Sequence, residues 1–439
     1  MTFILVYEVE DREFNNMLLL KLELERRGHR VILQCKDQDL IFKHKDAVAL
    51  IPNSYHKKDL DAYRYKFNLQ DNPIVIYSCE QLVNHTLPKD FDYSGKNPAK
   101  RVANFCWGPD YRDFLISLGY DEQKLYTTGA IQLDYCRKEF FSFYKTKKEL
   151  ATQFHLPVQK KWLLFISDFS FASESFTKLM MKGSSFDSSK ISNRHRYEQK
   201  VQKEILHWFS DFLSSNDDYI IIYRKHPTEV KTDVVYAMEK KFPNKFFEIT
   251  KLDLKQWIIA CDRNANYYST AAIESSVAGK ASLLLRPWDL PDDMGVVEYP
   301  FYKEYPRISD NLQFIQAMQE DDAKGLDKVR SSLSKFFSFA DKPAFMRVAD
   351  ALEDVARKNE RYPMEAGYTS KKMHFLLKNH LILKCFIKYI YRKFYSMTRY
   401  VPKKETAMAI KAYVGYADNR KRMGDFSKKI KVILSQYFS

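Results

Sequence analysis

Thr2-Phe3-Ile4-Leu5-Val6-Tyr7, the helix-period run from Phe14 to Arg27, and His29-Arg30-Val31-Ile32-Leu33-Gln34 decide the fold class. The first and last stretches are apolar runs of strand length. Between them Met17, Leu18, Leu20, Leu22 and Leu24 follow a helical pattern that Gly28 stops. Strand, helix and strand in that order form a βαβ unit, which implies a parallel sheet with a right-handed crossover.

The same alternation continues outward. Ala47 to Pro52, Pro73 to Ser78, Val102 to Gly108 and Leu125 to Gly129 read as further strands, with a helix from Asp110 to Leu118. A charged helical stretch, Lys138 to Phe154, leads to Pro157-Val158-Gln159-Lys160-Lys161, where a domain boundary is expected. Trp162 to Ser167 starts a second half, followed by a Ser-rich segment, Phe176 to Arg194, expected to be a mobile insertion. A helix from Tyr197 to Leu213, strands at Tyr219–Arg224, Phe246–Thr250, Asn266–Ser269 and Ser282–Arg286, short helices at Leu252–Ala260 and Ala271–Ala278, and helices within 310–357 complete it. The expected class is α/β, with two Rossmann-like doubly wound domains facing across a cleft. The expected ranges are 1–155, 156–345, a crossover helix region at 346–370, and a tail at 371–439.

A chain of 439 residues accommodates two such domains and an appendage. An apolar fraction of 45% with 29% charged residues excludes a disordered or fibrous chain. With 12 glycines and no G-x-G-x-x-G string, a glycine-rich phosphate loop is not expected. The six cysteines are scattered without a C-x-x-C pair, which argues against a zinc ribbon or redox motif. No basic leader and no 18-residue apolar run is present, so a cytoplasmic chain without a transmembrane helix is expected.

The net charge of +15 is uneven. Residues 371–439 hold 17 Lys/Arg against 3 Asp/Glu, and the other 370 residues carry only +1. A basic tail implies a polyanionic partner. From Met373 to Tyr395 large apolar residues alternate with Lys378, Lys384 and Lys388 at helical spacing, and Arg420 to Phe438 repeats the theme. That texture favours an anionic membrane surface over nucleic acid, each cation near the leaflet contributing about 1 kcal/mol. The alternative is a helical hairpin packed on the body with solvated lysines.

Ligands of doubly wound sheets bind at the carboxyl ends of strands. Three such ends stand out. Tyr223-Arg224-Lys225-His226-Pro227 offers cations and an imidazole to a phosphate, with Pro227 fixing the turn. Ser269 and Thr270 precede a small-residue helix, where hydroxyls and free N–H groups serve equally as caps or as an anion site. Glu274, one turn in, reaches either a ribose hydroxyl or a salt-bridge partner. Ser167 and Ser170 follow the first strand of the second half. In the first half Glu80 follows an apolar strand abruptly, with Glu8 and Asp11 next, and a carboxylate there can take a proton from an acceptor hydroxyl. Each of the three acids reads equally as a helix-end charge or a surface ion pair. No carboxylate pair sits at the phosphate strand ends, so neither metal nor cofactor is expected.

The succession Trp107-Gly108-Pro109, Thr127-Thr128-Gly129-Ala130-Ile131-Gln132-Leu133-Asp134, Arg224-Lys225-His226-Pro227 and Ser269-Thr270-Ala271-Ala272-Ile273-Glu274-Ser275 with Gly279-Lys280 resembles bacterial surface-carbohydrate (capsule and lipopolysaccharide) biosynthesis glycosyltransferases of the GT-B fold. Its motifs are similar to those of Kdo transferases, bacterial sialyltransferases and CDP-glycerol glycerophosphotransferases. The likeness spans about residues 1–345 as scattered short motifs. It implies that His226, Ser269 and Thr270 hold the donor's phosphate, with a CMP-sugar such as CMP-Kdo or CMP-nonulosonate favoured. A lipid-linked or surface glycan would be the acceptor, and the enzyme would sit on the inner face of the cytoplasmic membrane. The rivals are a CDP-polyol phosphotransferase for a teichoic-acid-like capsule and a non-catalytic nucleotide-sugar-binding scaffold. The chain departs from the family at Ala130-Ile131-Gln132-Leu133-Asp134, where many members show Asn-Pro-Arg-x-Asp, and it has no Asp-Asp/Glu-Gly base motif.

Overall fold

A computed structural model describes residues 1–8, 10–36, 47–54, 60, 63, 72–82, 98–183, 188–291, 299–320, 325–359 and 426–435. The chain divides into two compact units, one of residues 1–134 with 335–439 and one of residues 135–334.

The first unit is built on β1 (Thr2–Tyr7), β2 (Arg30–Cys35), β3 (Ala47–Ile51), β4 (Ile74–Ile76), β5 (Ala103–Cys106) and β6 (Leu125–Thr127), with α1 (Asn15–Arg26) and α2 (Pro109–Ser117). All neighbours are parallel, in the order β2-β1-β3-β4-β5-β6. The expected βαβ unit is therefore present, and a π-helical turn over Glu10–Phe14 precedes its helix. Strands covered on both faces need continuous apolar runs, and Phe3, Leu5, Val75 and Phe105 are fully buried.

The second unit begins at Tyr135. Residues 135–156 precede the boundary expected at Pro157–Lys161, yet Cys136, Leu150, Ala151 and Leu156 pack with Trp162 and Trp257. Within that segment the charged stretch is interrupted: α3 (Lys147–Phe154) starts afresh at Thr146, whose hydroxyl and Glu149 form a capping box. The sheet comprises β7 (Lys161–Ile166), β8 (Tyr219–Arg224), β9 (Phe246–Glu248), β10 (Arg263–Asn266), β11 (Ser282–Leu285) and β12 (Arg307–Ile308). Its order is β12-β11-β10-β7-β8-β9, again parallel throughout. Helices α4 (Glu174–Gly183), α5 (Ser188–Ser215), α6 (Asp233–Lys241), α7 (Leu254–Ala260), α8 (Ala271–Val277), α9 (Asn311–Gln319) and α10 (Leu326–Leu333) fill the connections. Each unit is thus a six-stranded parallel sheet with helices in its connections, the Rossmann-like arrangement expected of each half.

The mobile insertion expected at Phe176 to Arg194 is corrected. Outside 184–187, which lie beyond the described residues, this segment is helical and belongs to α4 and α5. Serines masked a helical period: Ile191, Glu198, Val201, Ile205 and Trp208 are buried along α5.

The chain returns to the first unit with α11 (Ala344–Lys358), which packs on α1 and β3. Arg27 at the end of α1 bonds Glu23, Asp350 and Glu353, and His29 meets Glu353 at 2.7 Å. The start of α11 has no side-chain cap of its own. Instead the buried Asp134 carboxylate accepts the N–H groups of Ala344 (2.9 Å) and Phe345 (2.8 Å), satisfying two of the helix's orphan donors. Asp134→Ala is expected to lower the stability of the first unit by about 1–3 kcal/mol, with Asp134→Asn recovering part of it. A urea midpoint unchanged in the alanine variant would refute this capping role.

Candidate functional site

Strand order reverses twice in this chain. In the first sheet β1 and β3 are adjacent while their onward connections diverge, and in the second the same holds for β7 and β10. At such points the loops leaving the two strands separate and open a crevice at the carboxyl edge.

In the first unit this edge carries a charged cluster. Glu8 follows β1 and accepts from Lys36 at 2.8 Å and from the Asn53 amide. Glu13 is buried, accepts the Glu8 N–H at 2.7 Å and takes two nitrogens of Arg12 at 3.0 and 2.8 Å. Arg12 also reaches Glu80 at 2.6 Å, so the Glu13 and Glu80 carboxylates share one guanidinium. Burial, then Glu13, pushes the Cys79 thiol far above its ordinary range, so this cysteine is held as a neutral thiol. Among the three acids expected here, Glu80 has a side chain that is 70% exposed and Glu8 is held by Lys36 and Asn53. Asp11 lies in the π-helical turn, and its side chain is outside the described residues. Arg12, Glu13 and Asn53 were not singled out from the sequence.

In the second unit the carboxyl ends of three neighbouring strands, β10, β7 and β8, carry the candidate residues. His226 is exposed after β8. Its Nδ1 lies 2.7 Å from the Thr228 hydroxyl and 3.5 Å from that of Ser170, which themselves meet at 2.6 Å. The Thr228 N–H donates to the same Nδ1 at 3.3 Å. A backbone N–H can only donate, so Nδ1 is the acceptor and the neutral ring carries its proton on Nε2. Ser170 and His226 are thus brought together from two strands, and Pro227 keeps the turn between them and Glu229 tight.

Other expected residues face elsewhere. Lys225 turns along the sheet to Glu248 on β9, at 2.9 Å. Arg224 holds the carbonyls of Ile249 and Lys251 at 3.3 and 2.7 Å, and that of Leu252 at 2.5 Å. Ser167 is buried, its hydroxyl bonded to Glu229. Ser269 accepts the Ala271 N–H at 3.3 Å, so it caps α8, while Thr270 is exposed and makes no side-chain cap bond. Glu274 pairs with Lys255 at 2.9 Å. Two spacings separate β10 from β8, about 10 Å, so the turns that carry His226 and Ser269–Thr270 leave the same edge of the sheet.

Two carboxylates underlie this edge, of which the buried Glu198 was not singled out from the sequence. Glu198 on α5 accepts the Phe171 N–H at 2.8 Å and Arg194 Nε at 2.7 Å. The Arg194 guanidinium lies 4.3 Å above the Phe171 ring. Asp168 has a raised pKa because of its burial. No group of three His, Cys, Asp or Glu side chains able to hold a metal ion occurs among the described residues.

No protein-family model matches the chain, and no curated protein matches it in sequence. Solved structures do resemble it. A putative UDP-N-acetylglucosamine 2-epimerase from Listeria monocytogenes aligns over 82% of this chain and 98% of its own, at 12% identity and a TM-score of 0.51. A variant of the wall teichoic acid polymerase TagF aligns over 82% of this chain and 89% of its own, at 13% identity and a TM-score of 0.50. At this identity the likeness is one of fold.

Burial raises the Glu198 carboxyl from 4.5 to about 7, against the pull of Arg194. A raised carboxyl stabilises the fold fully below its unfolded value and loses that contribution as pH climbs through the folded one. Relative to Glu198→Gln, wild-type stability should therefore fall between pH 4.5 and 7, by at most about 3 kcal/mol. Parallel stability curves for the two proteins across that window would rule out the shifted carboxyl.

Proposed function

We propose that the chain is a transferase that binds a nucleotide-activated donor at the carboxyl edge of the second sheet and extends a surface glycan, a CMP-sugar being the favoured donor. The observation that carries this reading is the meeting of Ser170, His226 and Thr228 where β7 and β8 end, beside the Ser269–Thr270 turn of β10. With Nδ1 accepting, the Nε2–H is the ring's donor. Aimed at a phosphate oxygen, it offsets charge as the nucleotide leaves. Thr270 and the start of α8 supply a further hydroxyl and backbone N–H groups. Ser167 and Lys225 act behind this layer, Ser167 through Glu229 and Lys225 through Glu248. Glu274 keeps Lys255 as its partner unless a ribose hydroxyl displaces it.

The acceptor proton is assigned to a carboxylate of the first unit. Glu80 is preferred, because its side chain is the most exposed of the described carboxylates there and bonds Arg12 at 2.6 Å. Glu8 and Asp11 follow. Direct transfer to the acceptor would invert the sugar's configuration.

The basic tail is assigned to an anionic membrane surface. Met373 to Tyr395 lies outside the described residues. In the helix at 426–435, Ile430, Ile433 and Leu434 are buried while Lys428, Lys429 and Lys431 are exposed. There the apolar residues are used within the protein and the lysines stay on its surface. No helix among the described residues is long and apolar enough to cross a membrane.

Calorimetric titration with CMP, CDP and UDP tests the donor site. Wild-type protein should bind at least one of them, and His226→Ala should weaken that binding about tenfold or more, the worth of one charge-assisted hydrogen bond. Absence of binding to all three by the wild type would end the transferase reading. Transfer of a polyol phosphate from CDP-glycerol is the second reading, supported by the motif likeness to CDP-glycerol glycerophosphotransferases. Product mass spectrometry with CMP-sugars and CDP-glycerol side by side separates the two.

A further inference from the structure

The strongest structure at the second sheet's edge lies beneath the exposed residues. Glu229 is buried at 4% exposure, three residues after His226. Its Oε1 accepts the Tyr223 hydroxyl at 2.7 Å and faces Gln202 Nε2 at 3.5 Å. Its Oε2 accepts the Ser167 hydroxyl and the Phe169 N–H, the latter at 3.1 Å. Its own N–H donates to the His226 carbonyl at 2.9 Å. Tyr223 and Gln202 are themselves bonded at 3.0 Å, and Gln202 accepts from Thr232 at 2.9 Å.

These contacts divide by oxygen. Oε1 faces inward, to side chains of β8 and α5. Oε2 faces the loop after β7, the loop that carries Ser170. The loop with Ser170 is thereby tied to the Glu229 side chain, and the turn with His226 to the Glu229 backbone N–H, so one residue serves both. The Phe169 N–H has no freedom to become an acceptor, so removing Oε2 leaves a buried donor unsatisfied and releases the loop. Glu198 holds the next alternate N–H of the same loop, at Phe171. Ser170 is left between two fixed backbone positions, which sets its hydroxyl against His226 and Thr228.

We infer that Glu229 is a positioning residue: through Phe169 and Ser167 on one side and the His226 carbonyl on the other, it holds Ser170 and His226 in register so that the ring presents Nε2–H to the donor's phosphate. This rests on the reading of His226 as a phosphate contact. Groups that touch a ligand must be held by partners behind them, and loosening those partners costs affinity without removing any contact atom.

The experiment compares Glu229→Ala with Glu229→Gln and Tyr223→Phe. Tyr223→Phe removes a donor to Oε1 and a 3.0 Å contact of the Ser167 hydroxyl, and serves as the control because the Ser167 and Phe169 donors to Oε2 remain. Nucleotide affinity is measured by calorimetry below the melting range of every variant, using the best binder among CMP, CDP and UDP. Glu229→Ala should weaken binding about tenfold or more, Tyr223→Phe by less than about threefold, and Glu229→Gln should recover part of the loss because one oxygen still accepts from Phe169. Wild-type affinity in Glu229→Ala, or an equal loss in Tyr223→Phe, overturns the inference. A second readout needs no nucleotide: the tautomer of the His226 ring by nitrogen-resolved NMR, assigned with His226→Asn. The Nε2-protonated form should dominate in wild type and Tyr223→Phe and give way to a mixture in Glu229→Ala. An unchanged ring spectrum in Glu229→Ala overturns the positioning role. If wild type binds no nucleotide, the transferase reading fails by itself, and the ring spectrum still decides for or against Glu229.

Discussion

Everything proposed for this chain depends on parallel strands reversing their order at one place in each sheet. Parallel pairing sends every strand end to the same edge, so side chains far apart in sequence gather there without any long-range design. Ser170, His226 and Ser269 are brought to one edge because β7, β8 and β10 are neighbours. Glu8, Asn53 and Glu80 are gathered in the first unit for the same reason. The pairing constrains only the backbone. Which side chains then face solvent is decided by local bonds.

Those local bonds follow a common plan. Behind the exposed polar groups of each edge stands a buried carboxylate that accepts backbone N–H groups: Glu13 for Glu8, Glu229 for Phe169, and Glu198 for Phe171. Burying a carboxylate costs several kcal/mol unless it is fully engaged. Each of these three is engaged by at least two donors. An arginine adds charge compensation at Glu13 and Glu198, whereas Glu229 has only neutral donors. Glu229 accordingly has a raised pKa from burial, opposed by the bonds from Ser167, Tyr223 and Phe169. The neutral donors therefore tie Glu229 to the loop after β7 without a cation among them.

The sheets were legible because they rest on composition over five or six residues at a time. Apolar runs such as Leu163-Leu164-Phe165 and Ile220-Ile221-Ile222 leave no alternative to a strand covered on both faces. His226 was singled out because an imidazole before a proline at a strand end is a local pattern. Glu229 was not. Its partners come from β7, α5 and β8, and no spacing within the sequence announces that meeting. Lys225 reads as a phosphate ligand beside His226, but alternation along the chain points it to Glu248 on the next strand. Phe176 to Arg194 looked mobile because serine content is a statistical guide, while helical burial at Ile191 and Glu198 is a geometric one.

Ser269 shows how a cap and a ligand contact can share one residue. Its hydroxyl accepts the Ala271 N–H, and the Ser269 N–H is in turn held by Asn266 Oδ1 at 3.3 Å. Asn266 is fully buried and bonded to Ser282 at 2.9 Å, so the turn is anchored in the sheet. A hydroxyl accepting from a backbone N–H still has its own hydrogen to give. Capping therefore does not withdraw Ser269 from a phosphate: the bond that fixes the oxygen leaves the proton free to donate to an anion at the end of β10. Its neighbour Thr270 has no capping bond. In the proposed site the pair would divide the work that the sequence left undivided, the first hydroxyl fixing the turn's geometry and the second, with no capping bond, meeting the ligand.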